Sequence, residues 1–411
     1  MFYLFVVALL SSTDIDILGR LMPSELFTLV SLPFLISKRR PGGMVFYASQ
    51  FYIFVFLWFV GALASDIYRE SQPQDFLRGW AKIFFFCINF TAISLAIGRN
   101  LRLAIFFIYF LLITSILHLR LAPQMSDVGA EVFGDGWRYG YGQLLTGTVL
   151  LLSSSLISIP ILLPVGLALP YVSAALNLLM NARNLFGESA LAAIAVTLTA
   201  NLRRPMAPAE LVGIGFALVI ISISFPLLYG YAAGSGLLGP AAQEKYEAQS
   251  SGNLNILVAG RTESLASTQA IIDSPIIGHG SWARDQKYVD IMLEKLEEAG
   301  LTFQGDPSLY ESAIPTHSHL LGAWVEAGIL GAAFWFWAMW VTIRGLYEAL
   351  HTPSRMTGFI VFIGTMLLWD IFFSPFGLDR RVITAAWLYL MMLVVERSTS
   401  VSQIESWECF S

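Results

Sequence analysis

Residues 315–343 read PTHSHLLGAWVEAGILGAAFWFWAMWVTI. From Leu320 to Val341 this stretch carries one ionisable side chain, Glu326, and it reaches the roughly 20 apolar residues that cross a bilayer. It therefore predicts a membrane-spanning helix. His317 and His319 stand at its entrance, so three ionisable groups lie where a membrane helix begins.

A helix that starts at His319 brings Glu326 back to about the same angle around the helix axis, two turns further on. Because an ionised carboxylate in the bilayer core costs roughly 3 kcal/mol or more, Glu326 is predicted to face the bundle interior or water. The alternative is structural: Glu326 is solvated near the lipid headgroups, and the histidines are polar groups at an interfacial helix start.

The rest of the chain has the same character. Of its 411 residues, 56% are hydrophobic and only 13% are charged, whereas soluble domains carry roughly 25% charged residues. The sequence predicts an all-α polytopic membrane protein with about 11–12 transmembrane helices and one large outer loop that contains short helices. The lipid bilayer is thus the first partner. No basic tail or stripe indicates a nucleic-acid partner.

Hydropathy divides the chain into four parts. Transmembrane helices one to about nine are predicted in 1–231, a large loop in 232–318, C-terminal transmembrane helices in 319–395 and a cytoplasmic tail in 396–411. The individual spans are predicted near 22–37, 43–64, 82–98, 103–118, 143–158, 160–180, 186–200, 208–231, 319–343, 357–373 and 382–395. A further segment, 2–17, is interrupted by Asp14 and Asp16 and is predicted to be short, tilted or interfacial.

The orientation follows from the positive charges of the short loops. The Lys and Arg clusters at 38–40, 99–102, 203–204 and 344–355 fall on one side, which is predicted to be cytoplasmic. The outer side then holds 65–81, 119–142, 232–318 and 374–381. Arg183, Arg380 and Arg381 lie at that outer side against the rule, which indicates a role other than topology.

Two helices are predicted inside the large loop. The stretch TESLASTQAIIDSP is typical of a short helix that ends before Pro275. The stretch DQKYVDIMLEKLEEAG spaces Val289, Met292, Leu293 and Leu296 as one apolar helical face, stopped by Gly300. That face is predicted to pack on the membrane domain or to lie on the bilayer surface.

Three further polar positions are candidates for chemistry, each with a structural alternative. Arg261, in AGRTES, precedes a predicted helix, a setting that favours anions, although a loop arginine is often only solvated. His279 lies between Gly278 and Gly280 in a tight turn, which equally suits a packing role. Arg183 separates two apolar runs and is placed to grip a lipid-bound phosphate, or is an ordinary interfacial arginine.

Metal and cofactor chemistry has no sequence signature. The five histidines and the outer carboxylates show no zinc-type spacing, and the chain has no phosphate-binding P-loop. We therefore expect no metal and no cofactor.

Taken in order, these pieces resemble the O-antigen ligase / O-antigen polymerase family of bacterial envelope glycosyltransferases. That family has a histidine followed by leucine four residues later, glutamate nine later and glycine eleven later, which fits His317, Leu321, Glu326 and Gly328. By this pattern His317, rather than His319, is the matching histidine.

Other motifs of the family match more loosely. Its Gly-Arg arginine corresponds to Arg261, and its Ser-Arg motif to Ala182-Arg183, where alanine replaces the usual serine. The stretch DGWRYGYGQ at 135–143 is similar to an arginine-and-glycine element before a span and adds Arg138 as a candidate.

The resemblance implies a reaction. The donor is a glycan on a polyprenyl pyrophosphate, and the acceptor is the hydroxyl of a lipid A-core sugar in ligases or of another lipid-linked glycan in polymerases. The protein is then a multi-pass protein of the bacterial inner membrane, with the loop and the active site facing the periplasm. The resemblance does not indicate an oligomeric state.

The same resemblance assigns roles. Arg183 and Arg261 are expected to neutralise the pyrophosphate leaving group without a metal, because guanidinium groups bind phosphate bidentately. His317 is the expected base, and attack from the opposite face predicts inversion at the anomeric carbon. His319, His279, Glu326 and Arg138 are the expected substrate-binding residues.

Three alternatives stay open at this point. A transporter or flippase for lipid-linked glycans shares the polytopic architecture but predicts charges deep inside spans. A transferase that glycosylates protein uses the same scaffold with another acceptor. A non-catalytic scaffold for envelope assembly leaves Arg183, Arg261 and His317 without a role.

Overall fold

The computed structural model describes residues 1–16, 20–38, 47–121, 136–200, 206–207, 209–210, 213, 230–237, 239, 243, 246, 263–298 and 312–408; of 120 and 398–408 it describes the backbone alone. Apart from the two-residue strands β1 (Ile15–Asp16) and β2 (Arg20–Leu21), which pair antiparallel, the regular structure in these ranges is helical. The all-α class is thereby confirmed.

The structure gives the bounds of thirteen α-helices in these ranges. They are α1 (Phe2–Leu10), α2 (Pro23–Ser37), α3 (Tyr47–Arg69), α4 (Pro73–Ile97), α5 (Leu101–Leu121), α6 (Gly142–Leu156), α7 (Leu163–Leu179), α8 (Arg183–Thr199), α9 (Glu263–Asp273), α10 (Gln286–Glu298), α11 (His319–His351), α12 (Thr357–Phe373) and α13 (Leu378–Glu408). A π-helical turn (Trp137–Tyr141) precedes α6, and a 3-10 turn (Pro160–Leu162) precedes α7.

Five of the described helical segments are long and apolar enough to cross a membrane. They are Tyr47–Arg69, Pro73–Ile97, Leu101–Leu119, Pro160–Leu179 and His319–His351. Two more apolar helices, α2 and α12, are shorter. This supports an all-α membrane protein with fewer clear spans than the 11–12 predicted. The predicted span at 208–231 lies almost wholly outside the described residues, and α1 covers only nine residues.

Large aromatic side chains form much of the buried core between α3, α4 and α11. Phe51 and Trp58 of α3 lie against Phe86 of α4 and against Phe334 and Trp335 of α11. All five are fully buried. Because a lipid tail is as apolar as these rings, their packing rather than a hydrophobic driving force holds the helices together.

A glycine permits a close approach of two spanning helices. A Cβ on Gly61 of α3 would lie 2.6 Å from the carbonyl oxygen of Ala327 in α11. Small residues at such crossings let backbones approach, which is the usual way that membrane helices associate. At the other end of the pair, Trp337 donates its indole N–H to Gln50 at 3.1 Å.

Helix α11 has a break near its start. At Gly328 the backbone leaves the helix with φ 63° and ψ −155°, a conformation that residues with a Cβ rarely adopt. The turn 274–282 fills the gap: His279 N–H donates to Val325 O at 2.7 Å, and Ile329 N–H donates to Ile276 O at 3.2 Å. The glutamate-x-glycine motif is therefore a docking point for the loop.

The two helices predicted in the loop are confirmed. Helix α9 ends at Asp273, before Pro275, and α10 buries Val289, Met292 and Leu296 as the apolar spacing predicts. The buried side chains of α10 pack against Ala266 and Ala270 of α9 and against a membrane-helix residue, Val325 of α11. The amphipathic face is thus buried in an apolar cluster that α9 shares with the membrane helix α11.

We expect Gly328→Ala to lower the free energy of unfolding by at least about 2 kcal/mol, because it combines a disfavoured φ with overlap of the new Cβ and Ile276 O. Thermal unfolding in detergent measures the change. Gly187→Ala in α8 is the matched control, since a Cβ there meets no atom within 4 Å. Equal stability of the Gly328 variant and wild type would contradict the docking described above.

Candidate functional site

His317 lies beside the first residue of the loop helix α9. Its Nδ1 is 3.9 Å from Oε1 of Glu263, and the two side chains are 30% and 20% exposed. The entrance of α11 and the start of α9, 54 positions apart in the chain, therefore meet at a surface that solvent reaches. A carboxylate at this distance attracts an imidazole once that ring is protonated.

Glu263 is a further candidate site residue that was not predicted from the sequence. It is the partner of His317. Its signal was present in AGRTES, where it follows Arg261 by two positions. Arg261 itself lies outside the described residues, so its expected part in the site stays a prediction.

Arg183 is the first residue of α8, as the short gap between two apolar runs predicts. The turn before it depends on Asn181, whose φ of 57° places it in the left-handed region and ends α7. Ala182 N–H donates to Asn177 O at 2.9 Å and closes this turn. Arg183 thus stands at a helix N-terminus, where backbone N–H groups and the helix dipole favour anions.

The starts of α8 and α11 lie at the same end of the helical bundle, and helix α12 connects them. Ser318 Oγ donates to Ile371 O at 2.8 Å, and His319 Nδ1–H donates to Ser374 O at 2.6 Å, both at the end of α12. On the same last turns of α12, Asp370 acts electrostatically on Glu188 of α8. Arg183 and His317 therefore share one end of the bundle.

His319 is enclosed. Its side chain has no exposed surface, and its ring packs edge-on against Trp335 and Phe376 at centroid distances of 4.8 and 5.0 Å. The hydrogen bond from Nδ1 to Ser374 fixes the ring orientation. In this conformation the imidazole offers no surface to a substrate, whereas His317, two residues earlier, is partly exposed.

His279 is held within the turn 274–282. Its ring Nε2 lies 2.7 Å from Ala270 O, so the Nε2–H donates to the end of α9. The ring also makes a T-shaped contact with the ring of Tyr288. Burial lowers the pKa of His279 below the ordinary value for histidine, which keeps the ring neutral near pH 7. These contacts join α9 to α10 and to α11, so they support the packing alternative for this residue.

The same turn is anchored to the end of α3. Asp66 accepts from Ser281 N–H at 2.7 Å, from Ser281 Oγ–H at 2.8 Å and from the indole of Trp80 at 2.8 Å. Arg69 donates to Gly278 O at 2.9 Å and to Ser274 Oγ at 2.7 Å. No local sequence pattern marks Asp66 or Arg69, so neither residue was predicted to have a role.

Glu326 forms an ion pair with Lys82 of α4 at 2.5 Å, and both side chains are mostly buried. The carboxylate therefore has a cationic partner from another helix in the bundle interior, the setting that its position in a membrane helix predicts. The alternative of a simply solvated glutamate near the headgroups does not describe it.

Arg138 lies in the π-helical turn, with its guanidinium 5.1 Å from the ring centroid of Tyr139. Its carbonyl accepts from Gln143, and Trp137 beside it donates to Asn177 of α7 at 3.0 Å. The charge of Arg138 acts on buried Glu188. Arg138 is thus at the same end of the bundle as Arg183.

A second group of charged residues, which was not predicted from the sequence, lies at this end of the bundle. Arg380 bonds to Asp370 at 2.7 Å and to Asp379 at 3.3 Å. A small cavity of about 70 Å³ opens between α1, α5, the π-helical turn and α13. Its polar lining includes His118, Tyr139, Gln143, Asp379 and Arg380.

Two of the three arginines that were predicted to lie at the outer side against the charge rule form ion pairs. Arg380 pairs with Asp370, and Arg381 pairs with Glu25 of α2 at 3.0 Å, with Glu25 fully buried. Both arginines are therefore structural cations, neutralised inside the bundle.

Within the described ranges, no group of three or more His, Cys, Asp or Glu side chains is arranged to hold a metal ion. No protein-family model matches the chain, and no curated protein matches it significantly.

Asp273 couples the two loop helices and titrates in an accessible range. Lys287 Nζ bonds to it at 2.6 Å and the Tyr288 hydroxyl donates to it at 2.9 Å. The hydrogen bond from Lys287, with those from Gln269 and Tyr288, lowers the pKa of Asp273 to about 2. A depressed carboxyl pKa contributes stability above the unfolded value of about 3.9, and this is lost as pH falls toward 2.

We therefore expect hydrogen-exchange protection of α9 and α10 to fall as the pH is lowered from about 4 to 2, relative to the spanning helices. Asp273→Asn should lower that protection at neutral pH and flatten its dependence on pH. Asp290→Asn is the matched control, because Asp290 bonds within α10 to Gln286 alone among the contacts described for it. An unchanged acid response in the Asp273 variant would refute this coupling.

Proposed function

We propose that the protein is a glycan transferase of the bacterial inner membrane. It moves a glycan from a polyprenyl-pyrophosphate carrier to an acceptor sugar hydroxyl at the periplasmic face, as an O-antigen ligase or a polysaccharide polymerase. The proposal starts from the resemblance of its motifs to the O-antigen ligase / O-antigen polymerase family. The transferase acts without a metal and inverts the anomeric centre.

The observation that carries the proposal is the contact of His317 with Glu263, 3.9 Å apart and both partly exposed. In the sequence Glu263 follows Arg261, the proposed leaving-group cation, by two positions. The proposed base and Glu263, which the sequence places two positions after Arg261, thus come from distant parts of the chain to one accessible surface. This supports a shared site more strongly than any one motif does.

A second contact supports the same reading. The Pro-Ile-Ile-Gly-His-Gly motif at 275–280 packs backbone to backbone on the glutamate-x-glycine motif, and a Cβ on Gly278 would lie 2.7 Å from Gly328 N. These two motifs form one interlocked unit, which accounts for their glycines. Their role in the proposed reaction is to hold the loop, and with it Glu263, against the entrance of α11.

In the reaction, the acceptor oxygen attacks C1 of the donor sugar from the face opposite the pyrophosphate. The new C1–O bond forms as the bond from C1 to the pyrophosphate oxygen breaks, and the electron pair leaves with polyprenyl pyrophosphate. The acceptor proton passes to the imidazole of His317. A base in hydrogen-bond reach is worth roughly 10²–10⁴ in rate.

The leaving group needs positive charge where the C1–O bond breaks. Arg183 meets this requirement at a helix N-terminus, and Arg261 is assigned the same role from the sequence. A guanidinium group stays charged and can bind two oxygens of one phosphate at the same time. It therefore stabilises negative charge on the departing pyrophosphate. Glu263 stabilises the protonated imidazole and orients it.

A second candidate function is a transporter or flippase for lipid-linked glycans. One observation favours it: the ionisable residues Glu188 and Asp370 are buried in the bundle and Arg380 is largely buried, and intramembrane ionisable residues are typical of transport pathways. It requires no base at His317. The two functions therefore differ in what loss of that imidazole does.

The deciding experiment is deletion of the gene followed by gel analysis of envelope polysaccharide. Loss of long chains with single units still attached supports a polymerase. Free carrier-linked chains with bare lipid A-core support a ligase. Unprocessed carrier-linked glycan that stays on the cytoplasmic side supports the transporter instead, and an unchanged envelope removes the proposal.

We expect His317→Ala to reduce transfer by about 10²–10⁴-fold, because the acceptor loses its base, while donor binding is kept. Transfer by the purified protein in detergent, with carrier-linked glycan and acceptor, measures this. His351→Gln is the control, since His351 donates to Met206 O at the opposite end of the bundle. Full activity of His317→Ala would end the assignment of the base.

We expect Glu263→Gln to lower kcat about tenfold with KM unchanged. Charges about 4 Å apart attract by about 1 kcal/mol in water and about 4 kcal/mol near a protein surface, and the partial exposure of this pair favours the lower value. Steady-state kinetics measures the split. Glu294→Gln in α10 is the control. A change confined to KM would assign Glu263 to substrate binding.

A further inference from the structure

A groove opens at the end of the bundle opposite to His317, where the turn between α4 and α5 meets α13. Its volume is about 690 Å³, within the range of small-ligand sites. The polar lining includes Arg99, Arg102, Glu396 and Arg397, and Leu101 and Leu393 supply apolar walls. Neither the proposed reaction nor the fold accounts for this groove.

The groove has an excess of positive charge. Arg99 is paired with Glu396 at 2.5 Å, which neutralises one arginine. Arg102 and Arg397 line the same groove, are exposed and form no ion pair with any described residue. Two guanidinium groups thus line the groove for an anionic ligand, and the donor fork of each matches the geometry of a phosphate.

The walls of the groove are held in place by hydrogen bonds between side chains and the backbone. The Tyr389 hydroxyl of α13 donates to Gly98 O at 2.8 Å, which fixes α13 against the turn between α4 and α5. Asn100 caps α5 by accepting from Leu103 N–H at 3.1 Å. The N-terminus of α5 therefore faces the turn with its dipole favouring negative charge.

The position of the groove relative to the membrane indicates the source of its ligand. The turn joins two helices that are each long and apolar enough to cross a membrane, so it lies at a membrane boundary. Leucines beside arginines at such a boundary suit an acyl chain beside a charged headgroup, and basic pockets between spanning helices bind anionic lipids.

We propose that this groove binds a phosphate-bearing anion, with Arg102 and Arg397 holding the phosphate. The lipid source is the headgroup of an anionic phospholipid, whose acyl chain lies along Leu101 and Leu393. The soluble source is a free phosphate. The bilayer supplies the first in excess, and the experiment separates the two.

Arginines at this end also follow from the charge rule for membrane topology alone. That rule needs only their number, whereas the proposal needs them in the groove. Arg355 distinguishes the two: it is exposed at the same end, in the turn between α11 and α12, and does not line the groove. Arg355→Gln removes one charge and leaves the groove intact.

The test uses the purified full-length chain in neutral detergent, as wild type, Arg102→Gln/Arg397→Gln and Arg355→Gln. In one arm, short-chain phosphatidylglycerol is titrated and its affinity is read from thermal stabilisation, with phosphatidylcholine as the neutral comparison. In the other arm, inorganic phosphate is titrated. Each arginine near a charged lipid surface is worth about fivefold in affinity, so the double variant should bind about thirtyfold more weakly.

Wild-type affinity in Arg355→Gln with a loss of about thirtyfold in the double variant supports the proposal. Stabilisation by phosphatidylglycerol alone assigns the lipid source, and equal stabilisation by inorganic phosphate assigns the soluble one. The proposal is overturned if the double variant binds both probes as wild type does, or if phosphatidylcholine binds as well as phosphatidylglycerol. Both readouts are independent of glycan transfer.

Discussion

The contact on which the rest of the arrangement depends is the seat of the turn 274–282 on the break in α11. Two backbones meet there without side chains between them, because Gly278 and Gly328 both lack a Cβ and both have positive φ. The hydrogen bonds from His279 and Ile329 replace those that α11 loses at the break. Through this seat the loop helices acquire a fixed position on the membrane helices.

Ion pairs stabilise the end of the bundle at which α11 begins. Lys82 with Glu326, Arg380 with Asp370, and Arg381 with Glu25 are three largely buried ion pairs, each linking different helices. Removal of one partner from a buried pair costs about 3–5 kcal/mol, since the other charge stays uncompensated. The pairs therefore specify which helices are neighbours, and they hold polar groups at the depth where the proposed chemistry takes place.

The two ends of the bundle differ in how their cations are used. At the end where α11 begins, the arginines of α13 are paired inside the bundle. The partly exposed side chains of His317 and Glu263 form the accessible polar surface there. At the opposite end Arg102 and Arg397 face an open groove. In the proposed scheme the first end acts on a pyrophosphate-linked substrate, and the second fastens the protein to an anionic boundary.

Local features followed from the sequence. The apolar run after His319, which contains Glu326 as its one ionisable residue, predicted the long helix α11. Pro275 predicted the end of α9, and the spacing of Val289, Met292 and Leu296 predicted the buried face of α10. A helix depends on hydrogen bonds four residues apart and on the periodicity of one face, and both can be read from a short window.

Only the tertiary structure decided the partners. Lys82 meets Glu326, Glu263 meets His317, and Asp66 meets Ser281, all across large separations in the chain. It also separated two neighbouring histidines, enclosing His319 among aromatic rings and leaving His317 partly exposed. Hydropathy gives each helix an equivalent apolar surface, so which faces meet depends on where glycines permit close approach and where charges find counter-charges.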